Sequence, residues 1–369
     1  MSSAIRRVDV FGYRLTYVYG DYVMSGGRVV RDLDSTVVRV TTEDGAEGFG
    51  EVCPLGPRYL AAHAEGARAA LRELAPAVLG TAVENLAAVN RALDRALAGH
   101  AYAKSAVDIA CWDAFGKTVG LPVHELLGGM LSERFPLYFA VPLGSVDEMA
   151  DFVAHRRREG VHRFQLKVGA DPLADVERTQ RVVEQTGDED VVVADANGGW
   201  VLQDAVVAAR GLDNLPRVFL EQPCATLDEC LIVRRRTTLP FVLDESIYDV
   251  PTLLRAYEAK AMEAVNLKIS KVGGLTAARQ IRDLAQSLGL RLTIEDTWGG
   301  DLVTAAVAHL AASTRPETLF TVSFMNDWTN EHIAGYRPRS DGGYGSPSEG
   351  PGLGVEVDVA ALGQPLVRV

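Results

Sequence analysis

RFQLKVG (163–169), DVVVADA (190–196), VFLEQP (218–223), FVLDES (241–246), AVNLKIS (264–270) and RLTIED (291–296) recur about every 25 residues along the chain. Each is a short run rich in Val, Ile, Leu and Phe, the composition of a strand buried on both faces. Working outward, LYFAVPL (137–143) precedes the set and LFTVSF (319–324) follows it. Amphipathic segments long enough for a helix separate the runs, such as DPLADVERTQRVVEQT (171–186) and GLTAARQIRDLAQSLG (274–289). Eight such units predict a closed parallel α/β barrel. An open doubly wound sheet would carry a GxGxxG fingerprint after its first strand, and the chain has none.

The first third reads differently. AIRRVDVFGYRL (4–15), DSTVVRVTTEDG (34–45) and AEGFGEV (46–52) look like strands, with a hairpin turn at Asp44-Gly45. Helical patterns follow from about 62 to 119, including HAYAKSAVDIACWDAFGK (100–117). Strands followed by segregated helices predict an α+β domain. The expected division is residues 1–125 for this domain and 126–330 for the barrel. A Gly/Pro/Ser-rich C-terminal segment, 331–369, then packs back on the first domain.

Acidic residues number 49 against 37 basic ones, a net charge of −12. Such a surface repels phosphate backbones and anionic lipid, so nucleic acid and membranes are not expected partners. MSSAIRRVDVFGYRL shows no apolar leader core, and no run of about 18 apolar residues is present. The four cysteines, Cys53, Cys111, Cys224 and Cys230, form no CxxC pair. They are read as reduced thiols of a cytoplasmic protein. The expected partner is a small-molecule substrate, and a homo-oligomer is expected.

Residues at the C-terminal ends of barrel strands converge on one mouth. Strand two offers Lys167, strand three Asp195, strand four Glu221, strand five Asp244, strand six Lys268 and strand seven Asp296. Three adjacent strands therefore present one carboxylate each, bracketed by lysines. Single acids at strand ends are often helix caps. Three in a row are the hard oxygen donors that a divalent cation takes.

QLKVG, VADANGGW, FLEQP, LDES, NLKISKVGGLT and IEDTWGG, in this order and spacing, resemble the mandelate racemase and muconate-lactonizing branch of the enolase superfamily. The resemblance spans nearly the whole chain. It implies a modified TIM barrel, (β/α)7β, beneath an α+β capping domain. It implies one Mg²⁺ per active site on Asp195, Glu221 and Asp244, with Lys167 and Lys268 on opposite faces of the substrate. Many relatives carry Lys-x-Lys on strand two, where this chain has Gln165-Leu166-Lys167. Period two puts Gln165 on the face of Lys167, where it can still hydrogen-bond.

Removing the α-proton of a carboxylate builds a dianionic enediolate, which positive charge must stabilise. The base must be neutral, whereas free lysine titrates near ~10.4. Mg²⁺, a second ammonium and burial are expected to push it down. Asn197 is a candidate to hold Asp195 in place. Glu245 and Glu295 are read as outward-facing supports, and Lys271 as a structural or surface lysine. His309 is read as structural and His162 as solvated. No histidine stands at the end of strand six or seven, which favours two-lysine over His–Asp chemistry.

YVMSGGRVV, EVCPLGPRYL, GHAYAKSAVDIACWD, FLEQPC, IEDTWGGDLVTAAVAHLAAS and FMNDWTNEH together resemble the cis-3-hydroxy-L-proline dehydratases of that superfamily. Their near relatives are 2-epimerases of proline betaine and 4-hydroxyproline betaine. The implied reaction is dehydration to Δ1-pyrroline-2-carboxylate, with weak 2-epimerisation as a side activity; the alternative is a 2-epimerase or another amino-acid racemase. A catalytically dead binding module and a sugar-acid dehydratase fit less well, given intact lysines and no histidine base. For the substrate's ring ammonium, Trp298 offers a cation–π face and Asp296 a charge. Phe324 and Asn326, past strand eight, are further candidates. The resemblance places the 20s loop (Tyr22, Met24, Ser25), Leu55 and Tyr59 over the barrel mouth.

Overall fold

Gly48 and Gly50 alternate on the strand Glu47–Val52, and a helix lies directly on them. A Cβ on Gly50 would sit 2.1 Å from the carbonyl oxygen of Ala106, so only glycine admits this approach. The helix is Ala101–Val119, apolar on nearly every side because it is buried between two layers. On one side is an antiparallel sheet ordered Val367–Arg368, Ile5–Thr16, Asp32–Thr42, Glu47–Val52. On the other side Trp112 Nε1 donates to Thr276 Oγ1 (3.0 Å), and Asp108 accepts from Thr276 N (3.0 Å). The computed structural model describes residues 3–335 and 337–369.

The second layer is a parallel sheet of eight strands in sequence order. They are Phe139–Val141, Arg163–Lys167, Val191–Asp195, Val218–Glu221, Phe241–Leu243, Ala264–Lys268, Arg291–Glu295 and Leu319–Val322. Leu137 pairs in parallel with Val322, and Tyr138 N donates to Val322 O (2.9 Å), so strand eight returns to strand one and the barrel closes. Helices follow strands one to seven: Val146–Arg158, Pro172–Val183, Leu202–Leu212, Leu227–Arg234, Val250–Glu258, Leu275–Ser287 and Asp301–Ala312. Strand eight instead enters a 3₁₀ turn, Met325–Trp328. The architecture is the expected (β/α)7β barrel with an N-terminal capping domain. At the chain's end Val367 pairs with Val10 of the capping sheet.

Three ties lock the cap to the mouth. Glu51 accepts from Tyr13 OH (2.5 Å), Ser35 Oγ (2.7 Å) and the N–H groups of Gly300 (2.9 Å) and Val303 (3.2 Å) at the start of the seventh barrel helix. Thr297 Oγ1 donates to Cys53 O (3.0 Å). The 20s segment is a short hairpin, Tyr22–Met24 with Arg28–Val30, and Arg28 reaches Asn197 O across the seam (3.2 Å). Among the described residues no helix is long and apolar enough to cross a membrane.

Candidate active site

Period-two alternation decides what faces the barrel axis. On strand two Gln165 and Lys167 face inward, on strand six Asn266 and Lys268, and on strands three and four Asp195 and Glu221. Lys167 Nζ lies 2.5 Å from Asp195 Oδ2 and 2.8 Å from Gln165 Oε1. Gln165 Nε2 donates to Glu221 Oε2 (3.0 Å), so one amide joins the strand-two lysine to the strand-four acid. Asn266 Nδ2 donates to the other oxygen of Glu221 (2.7 Å). Opposite Lys167, Lys268 donates to Asp244 Oδ2 and lies 3.2 Å from Glu295 Oε1. Tyr59 OH, from the cap, lies 2.7 Å from Lys268 Nζ and 3.0 Å from Asp244 Oδ2. Asn197 bonds Asp195 through its main-chain N–H (2.8 Å) and Glu245 through its amide (3.2 Å).

Gln165, Lys167, Lys268 and Tyr59 border a small, partly open pocket of about 20 Å³. Lys167, Lys268, Gln165, Glu295 and Asp296 form its floor and sides; Tyr22, Met24, Leu55 and Tyr59 close it from the cap. Trp298 lines it edge-on to Tyr22 (5.2 Å) and Trp328 (5.8 Å). Its buried indole N–H has no partner among the described residues.

Electrostatically the site is crowded with acids. Burial, then the Asp195 and Asp244 carboxylates, push Glu221 well above the usual carboxylate range. Asp244 is held below that range: burial opposes its charge, but Lys268 and Lys271 outweigh it. Glu245 is pushed up to about 7 by burial and by Asp244. The lysines run opposite to expectation. Burial disfavours both ammoniums, yet Asp195 beside Lys167 and Asp244 beside Lys268 outweigh it and raise both.

Several expectations need correction. Glu295 does not face outward: it shares the inward parity of Thr293, contacts Lys268 and accepts the Tyr138 hydroxyl. Asp296 borders the cavity, but its carboxylate is engaged by Ser270 and by Thr297 N (2.7 Å), and burial raises it to about 7. Phe324 packs on Phe135 (5.9 Å) outside the cavity. Asn326 is buried too, donating to Asp301 (3.1 Å) and Pro338 O (2.8 Å). Lys271 is buried against Asp244 rather than on the surface. His162 is half-buried and bonds Asp190 (2.6 Å). With Glu189 these two gather three ligand-type side chains, but before strands two and three, at the barrel end away from the lysines. Asp190 is already paired with Arg157 (2.6 Å). Trp328, Tyr138 and Met325 line the cavity without having been singled out from the sequence.

A sequence model described as "Enolase C-terminal domain-like" matches residues 148–361, and one described as "Mandelate racemase / muconate lactonizing enzyme, N-terminal domain" matches residues 23–128. The chain belongs to the mandelate racemase/muconate lactonizing enzyme family of the enolase superfamily. Within this family, a cis-3-hydroxy-L-proline dehydratase from Roseibium aggregatum is 44% identical over 364 residues, 99% of each chain. An N-succinyl-L-Arg/Lys racemase from Bacillus cereus is 28% identical over 367 residues, 97% of this chain and 96% of the other. A crystal structure of an enolase-superfamily member from Roseovarius nubinhibens, complexed with magnesium, superposes with a TM-score of 0.93 at 37% identity, covering 99% of both chains.

Proposed function

We propose that the protein dehydrates cis-3-hydroxy-L-proline to Δ1-pyrroline-2-carboxylate by α-proton abstraction. The observation that carries this reading is the placement of two lysines on facing strands around one pocket, beside three acids from adjacent strands. The 44%-identical dehydratase supports the choice of substrate.

The acids fit a hard divalent cation. Glu221 is destabilised as an anion by burial and by its neighbours Asp195 and Asp244, the condition that an added positive charge relieves. We assign Mg²⁺ to Asp195, Glu221 and Asp244; when bound it supplies positive charge opposite the substrate's carboxylate. A cation held there would share Asp195 with Lys167, and a lysine without that partner would more readily be the neutral amine.

The chain's own residues do the rest. Lys167 takes the α-proton, with Gln165 Oε1 fixing its nitrogen. In the cis isomer the hydroxyl and the α-hydrogen lie on opposite ring faces. Lys268 stands across the cavity and protonates the leaving hydroxyl, while Tyr59 orients its nitrogen. Trp298 offers a ring face, and Glu295 a carboxylate, toward the substrate's ring ammonium. The cap excludes water, which preserves the enediolate and strengthens each electrostatic contact. The enamine product tautomerises to Δ1-pyrroline-2-carboxylate.

A second reading is 2-epimerisation of proline betaine or 4-hydroxyproline betaine. The same two lysines support it: without a 3-hydroxyl, Lys268 can only return a proton to C2 from the far face. The racemase relative is consistent with it. Proton NMR in D₂O with Mg²⁺ and a panel of proline, 3-hydroxyproline and betaine isomers separates the two. Loss of the hydroxyl marks dehydration; α-exchange with the ring substituents intact marks epimerisation.

A further inference from the structure

Lys271 lies past the end of strand six, on the one-turn helix Ile269–Val272. Gly273, at φ 107°, ends that turn. Gly274 packs so closely on Asp108 that a Cβ would fall 2.5 Å from its carboxylate. The turn is thus pinned to the capping domain. It aims Lys271 inward, with a side chain only 6% exposed.

Its ammonium reaches Asp244 twice, at the main-chain oxygen (2.5 Å) and at Oδ1 (2.7 Å), and Asn266 O once (3.4 Å). Asp244 Oδ2 belongs to Lys268 and Tyr59. The two oxygens of one carboxylate are therefore divided between two lysines, and the two attachments differ in kind. Lys268 is held by side chains alone: Asp244, Glu295 and Tyr59. Lys271 is held partly by main-chain carbonyls, which cannot rotate away. A cation drawn to Asp244 can displace Lys268 from Oδ2 by rotating its flexible stem, while Oδ1 stays with Lys271.

We propose that Lys271 restricts Asp244 to a single metal-ligating oxygen and thereby selects Mg²⁺ over Ca²⁺. This rests on the assignment of Asp195, Glu221 and Asp244 as metal ligands. Mg²⁺ demands near-ideal octahedral geometry, whereas Ca²⁺ takes more oxygens and accepts both from one carboxylate. An ammonium fixed on Oδ1 withholds the second oxygen. Lys271 touches no reacting atom and acts through Asp244, as a positioning residue.

Isothermal calorimetry of the wild type, Lys271→Met and Lys271→Arg with Mg²⁺ and with Ca²⁺ tests it, with the metal-induced rise in Tm as a second readout. Lys271→Met is expected to lose roughly 10–100-fold in Mg²⁺ affinity while Ca²⁺ affinity is kept or rises; Lys271→Arg keeps the wild-type order. Should Lys271→Met fail to fold, Lys271→Ala, which likewise leaves Oδ1 without its donor, should move the ratio the same way. Equal losses for both ions, or an unchanged ratio, overturn the proposal. A wild type that binds neither ion overturns the metal assignment itself.

Discussion

The Lys268 ammonium lies 2.7 Å from the Tyr59 hydroxyl, a contact between barrel and capping domain. The same hydroxyl donates to Asp244 Oδ2 at 3.0 Å. One hydroxyl of the cap thus contacts both Lys268, the proposed acid, and Asp244. Tyr59→Phe removes these bonds and keeps the ring. Hydrogen bonds to charged groups contribute about 1.5–3 kcal/mol, so kcat/KM should fall roughly 10–100-fold. Steady-state kinetics beside a thermal melt checks it: a fall with Tm unchanged supports the account, and wild-type kinetics contradict it.

The two lysines should be separable. Lys167→Ala should abolish exchange of the α-proton of the L-substrate in D₂O. Lys268→Ala should retain some exchange while dehydration falls by roughly 10²–10⁴-fold, the usual worth of a positioned acid. Proton NMR reads both. Wild-type exchange of L-proline by Lys167→Ala would assign the faces the other way round.

Turnover should require a hard divalent ion. Chelation should abolish it and Mg²⁺ restore it. Asp244→Asn should weaken metal binding measured by calorimetry far more than it lowers Tm, because Lys271 keeps an oxygen acceptor at that position. Full turnover in rigorously metal-free enzyme would remove the assignment.

Acid should destabilise the fold through a buried histidine pair. His124 and His309 stack with Nδ1 atoms 2.9 Å apart, and burial lowers His309 to about 3. An unfolded histidine titrates near 6.5. Below that value the unfolded chain binds a proton that the folded one refuses, so stability is full above about pH 6.5 and falls toward pH 3. The slope from His309 is about 1.4 kcal/mol per pH unit. Urea titrations from pH 7 to 4 should show His309→Asn with a shallower loss; an identical slope would contradict this.

The barrel was legible because its strands are contiguous apolar runs, and strands two, three, four and six end on Lys167, Asp195, Glu221 and Lys268. Lys167, Asp195, Glu221 and Lys268 could be placed by counting in twos from those ends. Glu295 is legible the same way, since it shares the parity of Thr293, whereas Asp296 lies one residue beyond the strand. Counting fails where the strand stops. Past Val322 the chain enters the turn Met325–Trp328, which buries Phe324 and Asn326 and turns Trp328 to the cavity. Lys271 was obscured for the same reason, since only the turn after strand six brings it back on Asp244. His124 and His309 are 185 residues apart and meet only through the packing of two helices.

The most direct test of two opposed lysines around one enediolate is stereochemical. Cis- and trans-3-hydroxy-L-proline differ only in the face that carries the hydroxyl. Cis places it toward Lys268, opposite the α-hydrogen; trans places it toward Lys167. Initial dehydration rates of the purified enzyme with Mg²⁺, followed by loss of the C3 signal in NMR, should be fast for cis and far slower for trans. Equal rates for both isomers, or none for either beside efficient betaine epimerisation, would contradict the account.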